Sequence, residues 1–78
     1  PISAFKTLQR DLGNGIRLAR KAVGLSQEAL ALAADVDRSY VSQLERGVAN
    51  PSLAILLRVA GILDCQLKVS LERDDPKR

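Results

Sequence analysis

The stretch Leu25–Gly47, LSQEALALAADVDRSYVSQLERG, constrains the chain more than any other. It carries a serine start signal, a short apolar-periodic run, an acidic break, a second short run and a glycine stop. Each run is shorter than the roughly 12 residues an isolated helix needs in water, so both must be braced by the rest of the chain. Helices are therefore predicted at 27–34 and 38–46. Ser26 suits the N-cap of the first, and Gln27 and Glu28 suit its first turn. Asp35-Val36-Asp37 forms the turn. A turn between crossed helices needs a left-handed residue, which aspartate tolerates better than most non-glycine residues. Val36 is expected to anchor this turn in the core, and Asp37 to cap the helix that follows. Val41 and Leu44 point inward, which leaves Arg38, Ser39, Ser42 and Gln43 on the outer side.

The brace comes first in the chain. Phe5, Leu8, Leu12, Ile16, Ala19 and Val23 recur at spacings of three and four, which predicts one apolar helical face over 3–23. Ser3 is the expected N-cap and Gly24 the expected stop. Gly13 and Gly15 leave open a kink or two helical pieces meeting near Gly13, hence four to five helices in all. After the loop at 48–52, Ser52 is expected to cap a helix over 53–63. Its buried side is read as Leu53, Leu56, Leu57, Ala60 and Leu63, with Gly61 a weak point.

The period then changes. Cys65-Gln66-Leu67-Lys68-Val69-Ser70-Leu71-Glu72 alternates apolar with polar, the pattern of a half-buried strand. A lone strand leaves its ladder unpaired. Pairing with its own copy across a two-fold axis is the simplest solution, with Cys65, Leu67, Val69 and Leu71 at a homodimer interface. The domain reading is thus 1–64 for the helical domain, 26–46 for its reading unit, 65–72 for a dimerisation strand and 73–78 for a charged tail.

With 78 residues, this is one small domain. Residues 1–62 hold eight Lys/Arg and five Asp/Glu, whereas 63–78 hold four of each, so the net charge of +3 lies on the helical part. A phosphate-binding surface needs that bias, and a solvated surface alone also accounts for it. The single cysteine allows no internal disulfide. No apolar run approaches the roughly 18 residues of a membrane span, and no signal-peptide pattern is present. These features suit a reducing cytoplasm without membrane contact. The chain begins at Pro1 rather than Met, which leaves its natural start open. An enzyme fits poorly: there is no histidine, no metal-ligand cluster and no paired carboxylates, and no cofactor or metal is expected.

A helix enters the DNA major groove with polar residues outward and apolar anchors inward, and 37–46 divides in that way. Arg38 can pair bidentately with guanine O6/N7, and Gln43 with adenine N6/N7. Ser39 and Ser42 are short enough to permit close approach. Gln27 can meet a backbone phosphate at a helix start. Tyr40 suits a phosphate contact and surface packing equally. Arg17 and Lys21, one turn apart, suit phosphate or solvent.

The ordered fragments IRLAR at 16–20, GLSQ at 24–27, VSQLERG at 41–47 and NPSL at 50–53 resemble the Xre/Cro helix-turn-helix regulators, which include phage repressors, restriction-modification controllers and HipB-type antitoxins. The resemblance spans about 12–63. It implies a mainly α, lambda-repressor-like DNA-binding domain. In that family the position of Gln27 meets phosphate, those of Arg38, Ser39, Ser42 and Gln43 face bases, and that of Arg46 lies near phosphate. The positions of Arg20 and Glu45 form a partly buried ion pair. Asp35 departs from the usual glycine and Leu32 from the usual polar residue. The C-terminal alternation resembles the HipB-type subgroup.

The expected function is that of a homodimeric, sequence-specific double-stranded DNA-binding transcriptional regulator, a repressor or autoregulator on a near-palindromic operator. The alternative is an antitoxin that neutralises a toxin protein and autoregulates its operon. A helical adaptor with no nucleic-acid role is the third reading; the polar outer face of 38–46 argues against it.

Overall fold

The computed structural model describes residues 3–74. It contains four helices: α1 (Ala4–Ala22), α2 (Gln27–Ala34), α3 (Arg38–Arg46) and α4 (Leu53–Ile62). α1 packs on α3, α3 on α2, and α2 on α4. Leu30, Val41 and Val59, one each from α2, α3 and α4, are the largest fully buried side chains. Ile16, Ala31, Ala34, Leu44, Ala49 and Leu63 complete the core.

Serine starts three helices as the sequence predicts. Ser3 Oγ accepts from Lys6 N at 3.1 Å, Ser26 Oγ from Ala29 N at 3.0 Å and Ser52 Oγ from Ile55 N at 3.1 Å. Each satisfies an N–H that the helix itself cannot. Asp37 occupies the fourth cap position, but its side chain makes no capping hydrogen bond. Its backbone carbonyl instead accepts from Tyr40 and Val41.

All four helices end alike. A residue of positive φ closes each: Gly24, Asp35, Gly47 and Asp64. The next backbone N–H reaches back five residues, as in Leu25→Arg20, Val36→Ala31, Val48→Gln43 and Cys65→Ala60. Orphan carbonyls are thereby satisfied. Asp35 takes the conformation expected of it; Asp64 does so without having been expected to.

Several expectations change. α1 is continuous through Gly13, because that glycine serves close packing and not a kink. Phe5, Leu8 and Val23 lie exposed, Phe5 and Leu8 along an open groove with Asn50, Pro51 and Leu56. On α4, Leu53 and Leu57 are exposed and Val59 is buried with Leu63, a rotation of the inward face. Val36 is half-buried against the core.

The predicted C-terminal strand is corrected: among the described residues there is no strand, and 65–74 run without secondary structure. A strand exists only through ladder hydrogen bonds, and among the described residues no other segment offers a free edge. Of the four residues read as a dimer interface, Leu67 is half-buried while Cys65, Val69 and Leu71 are exposed. Of the tail expected at 73–78, residues 75–78 lie outside the described residues.

Candidate nucleic-acid interface

The site is the outer face of α3 and the ion-pair network beneath it. Arg38, Ser39 and Gln43 are exposed on that face and Ser42 is half-buried. Arg46, one turn beyond Ser42, donates through Nε to Ser42 Oγ at 3.3 Å, so its guanidinium lies along the same face. On the opposite face, Val41 and Leu44 are held in the core. The i, i+3, i+4 geometry of a helix enforces this division.

Beneath the face, Arg20 of α1 meets Glu45 of α3 side-on: Nε donates to Oε2 at 2.5 Å and Nη2 to Oε1 at 2.9 Å. Both residues are buried. Arg20 Nη1 also donates to the carbonyl of Leu25 at 2.8 Å, tying down the turn into α2. Gln27 joins the network, donating to Glu45 Oε1 at 3.1 Å. Thus one carboxylate locates the first helix, the reading helix and the residue expected to meet phosphate. Burial pushes the Glu45 carboxyl up, but the hydrogen bonds from Arg20 and Gln27 and the charges of Arg20 and Arg17 outweigh it, so its pKa falls below the ordinary range. The hydrogen bond to Glu45 raises the Arg20 pKa against the effect of burial, so the guanidinium stays charged. Among the described residues no buried side-chain polar atom lacks a partner.

The remaining candidate residues divide. Tyr40 is half-buried and packs against the core. Arg17 is exposed, with Nη2 3.5 Å from Asn14 Oδ1. Two positioning residues had no signal in the sequence. Arg58 donates through Nη1 to the carbonyl of Ala34 at 2.9 Å and holds the end of α2 where the turn begins. Gln9 Nε2 donates to the carbonyl of Ala49 at 2.6 Å, joining α1 to the loop after α3. Both contacts span long sequence separations, so no local pattern could mark them. Among the described residues no cluster of His, Cys, Asp or Glu could hold a metal ion, and no helix is long and apolar enough to cross a membrane.

A short helix, a left-handed turn and a second short helix with a free polar face, clamped by a third, define a helix-turn-helix domain. The model of the helix-turn-helix family HTH_3 matches residues 16–69, and the chain belongs to that family. The regulator SlrR of Bacillus subtilis is 44% identical over 57 residues, covering 72% of this chain and 38% of SlrR. This chain therefore spans well under half of that relative. The controller protein C.AhdI of Aeromonas hydrophila superposes with a TM-score of 0.76 at 41% identity, covering 82% of this chain and 93% of that one. The biofilm regulator SinR, solved in complex with DNA, superposes with a TM-score of 0.67 at 39% identity, covering 70% of this chain and 89% of that one.

Proposed function

We propose that this chain is a sequence-specific double-stranded DNA-binding transcriptional regulator that acts as a homodimeric repressor. The observation that carries the reading is the outer face of α3. Arg38, Ser39 and Gln43 stand exposed on a helix whose other face is locked into the core and whose base is fixed by the Arg20–Glu45 pair. A rigid helix bearing free guanidinium, hydroxyl and amide groups is what base-edge recognition requires. Arg38 and Gln43 carry base discrimination, and Ser39 and Ser42 allow close approach. Gln27, Arg46 and Arg17 set the register on phosphates. Tyr40 contributes mainly by packing. That a relative of this fold is solved in complex with DNA supports a DNA-binding role.

One copy reads half a site. Two copies related by a two-fold present reading helices about 34 Å apart, matched to a near-palindromic operator. The exposed Val69 and Leu71 at the C-terminal end, beside Leu67, supply apolar surface for the second copy. The test is selection of duplexes from a random pool by the full chain. Recovery of a palindromic motif with half-sites one helical turn apart is expected. A pool that stays unenriched through repeated rounds overturns the reading.

A further inference from the structure

Proposed contacts so far come from α2, α3 and Arg17, but α1 bears a larger cationic surface. Its residues include five bases, Lys6, Arg10, Arg17, Arg20 and Lys21, against one acid, Asp11. Arg20 is consumed by Glu45. The other four stand at spacings of four, seven and four, which places them on one helical face, and all four are exposed. Asp11 lies elsewhere, lining an apolar groove with Ile16 and Leu63. Nothing on α1 therefore neutralises the stripe.

The fold puts the stripe's amino-terminal half beside the end of the reading helix. A side-chain carbon on Gly47 would lie 3.0 Å from Arg10 Cα and 3.3 Å from the carbonyl carbon of Gln9. Gln9 holds this approach by its bond to the Ala49 carbonyl. Arg10 and Arg46 accordingly flank Gly47 from two different helices, and Lys6 lies one turn further along α1. At the stripe's other end, the charge of Arg17 acts on Glu45 of α3.

We propose that Lys6 and Arg10 bind DNA-backbone phosphates, extending the contact surface from the end of α3 along the first turns of α1. This inference rests on the DNA-binding reading above. A duplex lying against α3 carries a regular row of phosphates past the end of that helix, and an exposed cation row with no ion-pair partner among the described residues is complementary to it. Such contacts add affinity and salt dependence without sequence preference.

The test measures retention of a random-sequence duplex and of a selected operator over a series of salt concentrations. For the Lys6→Gln/Arg10→Gln variant, the slope of log affinity against log salt should be shallower by about two units, and both duplexes should lose affinity by a similar factor, roughly tenfold or more near physiological salt. Arg10→Lys keeps its charge and should keep the wild-type slope. Lys6→Gln alone, altering one exposed residue of the first turns, should remove about one unit and serves if the double variant loses helix by circular dichroism. Wild-type retention with an unchanged slope in the Gln variants overturns this inference alone and leaves the stripe to an acidic protein surface. A wild-type chain with no salt-dependent retention overturns the DNA reading and this one together.

Discussion

Gly13 of α1 sits so near Glu45 of α3 that a side-chain carbon on the glycine would lie 2.8 Å from the Glu45 carbonyl oxygen. No real side-chain carbon tolerates that distance to backbone. Gly15, two residues on, has nothing within 4 Å of the same virtual atom. Alanine should therefore act oppositely at the two sites. Gly15→Ala gains helix propensity, about 0.5–1 kcal/mol. Gly13→Ala gains the same but forces α1 and α3 apart, for a net loss of roughly 1–2 kcal/mol. Urea unfolding of both variants checks the sign.

The carboxylate of Glu45 gives stability a defined acid dependence. Its folded pKa lies below the ordinary value of 4.5. The folded state thus binds this proton less readily than the unfolded state. Its contribution is full above the ordinary value and is lost as pH falls through the lowered one. Glu45→Gln should flatten that part of the profile in urea midpoints measured from pH 7 downward. Glu45→Ala leaves the Arg20 guanidinium buried without its partner and should cost about 3 kcal/mol at neutral pH.

Arg58 reaches across from α4 to the carbonyl of Ala34, the last residue of α2. A cation at a helix C-terminus gains from the hydrogen bond and from the helix dipole. Arg58→Ala is expected to lower stability by about 1 kcal/mol, the modest size reflecting an exposed side chain. An unchanged unfolding midpoint would remove Arg58 from the architecture.

Arg38→Ala and Gln43→Ala should leave the circular dichroism spectrum and unfolding midpoint in place, because both side chains are exposed. Each should cost roughly 1–3 kcal/mol of discrimination at one operator position. Binding assays against single-base operator variants report this directly. Identical preference profiles in wild type and both variants would withdraw the base-reading assignment.

Removal of residues 65–78 should convert a dimer into a monomer by light scattering, with operator affinity falling and the helical domain still folded. Among the described residues, those of the buried core all precede Cys65. A truncated chain that remains dimeric would place the interface on the helices, where Leu53 and Leu57 stand exposed.

The legible parts of the fold were those controlled by near neighbours. Ser26, Ser52, Gly24 and Gly47 mark helix ends because capping acts within a few residues. The bounds of α2 and α3 followed from Ser26, Gly47 and the Asp35–Asp37 turn between them. Asp64 was missed because, unlike Asp35, it is not followed by a second helical run that would mark a turn. The C-terminal alternation at 65–72 misled because a period of two records which side chains could share a face. It says nothing about whether a partner ladder exists.

The sequence by itself determined the helix-turn-helix. Capping, periodicity and turn chemistry are local, and in Leu25–Gly47 they all agree. Only the tertiary structure decided what holds that unit still. The reach of Arg58 to Ala34, of Gln9 to Ala49 and of Gln27 to Glu45, and the backbone approach at Gly13, join residues far apart in the chain. Such contacts depend on where helices meet in space, which no local spacing encodes. The same holds for the basic stripe: its periodicity is written in α1, but its place beside the end of α3 is set by packing at Gly47.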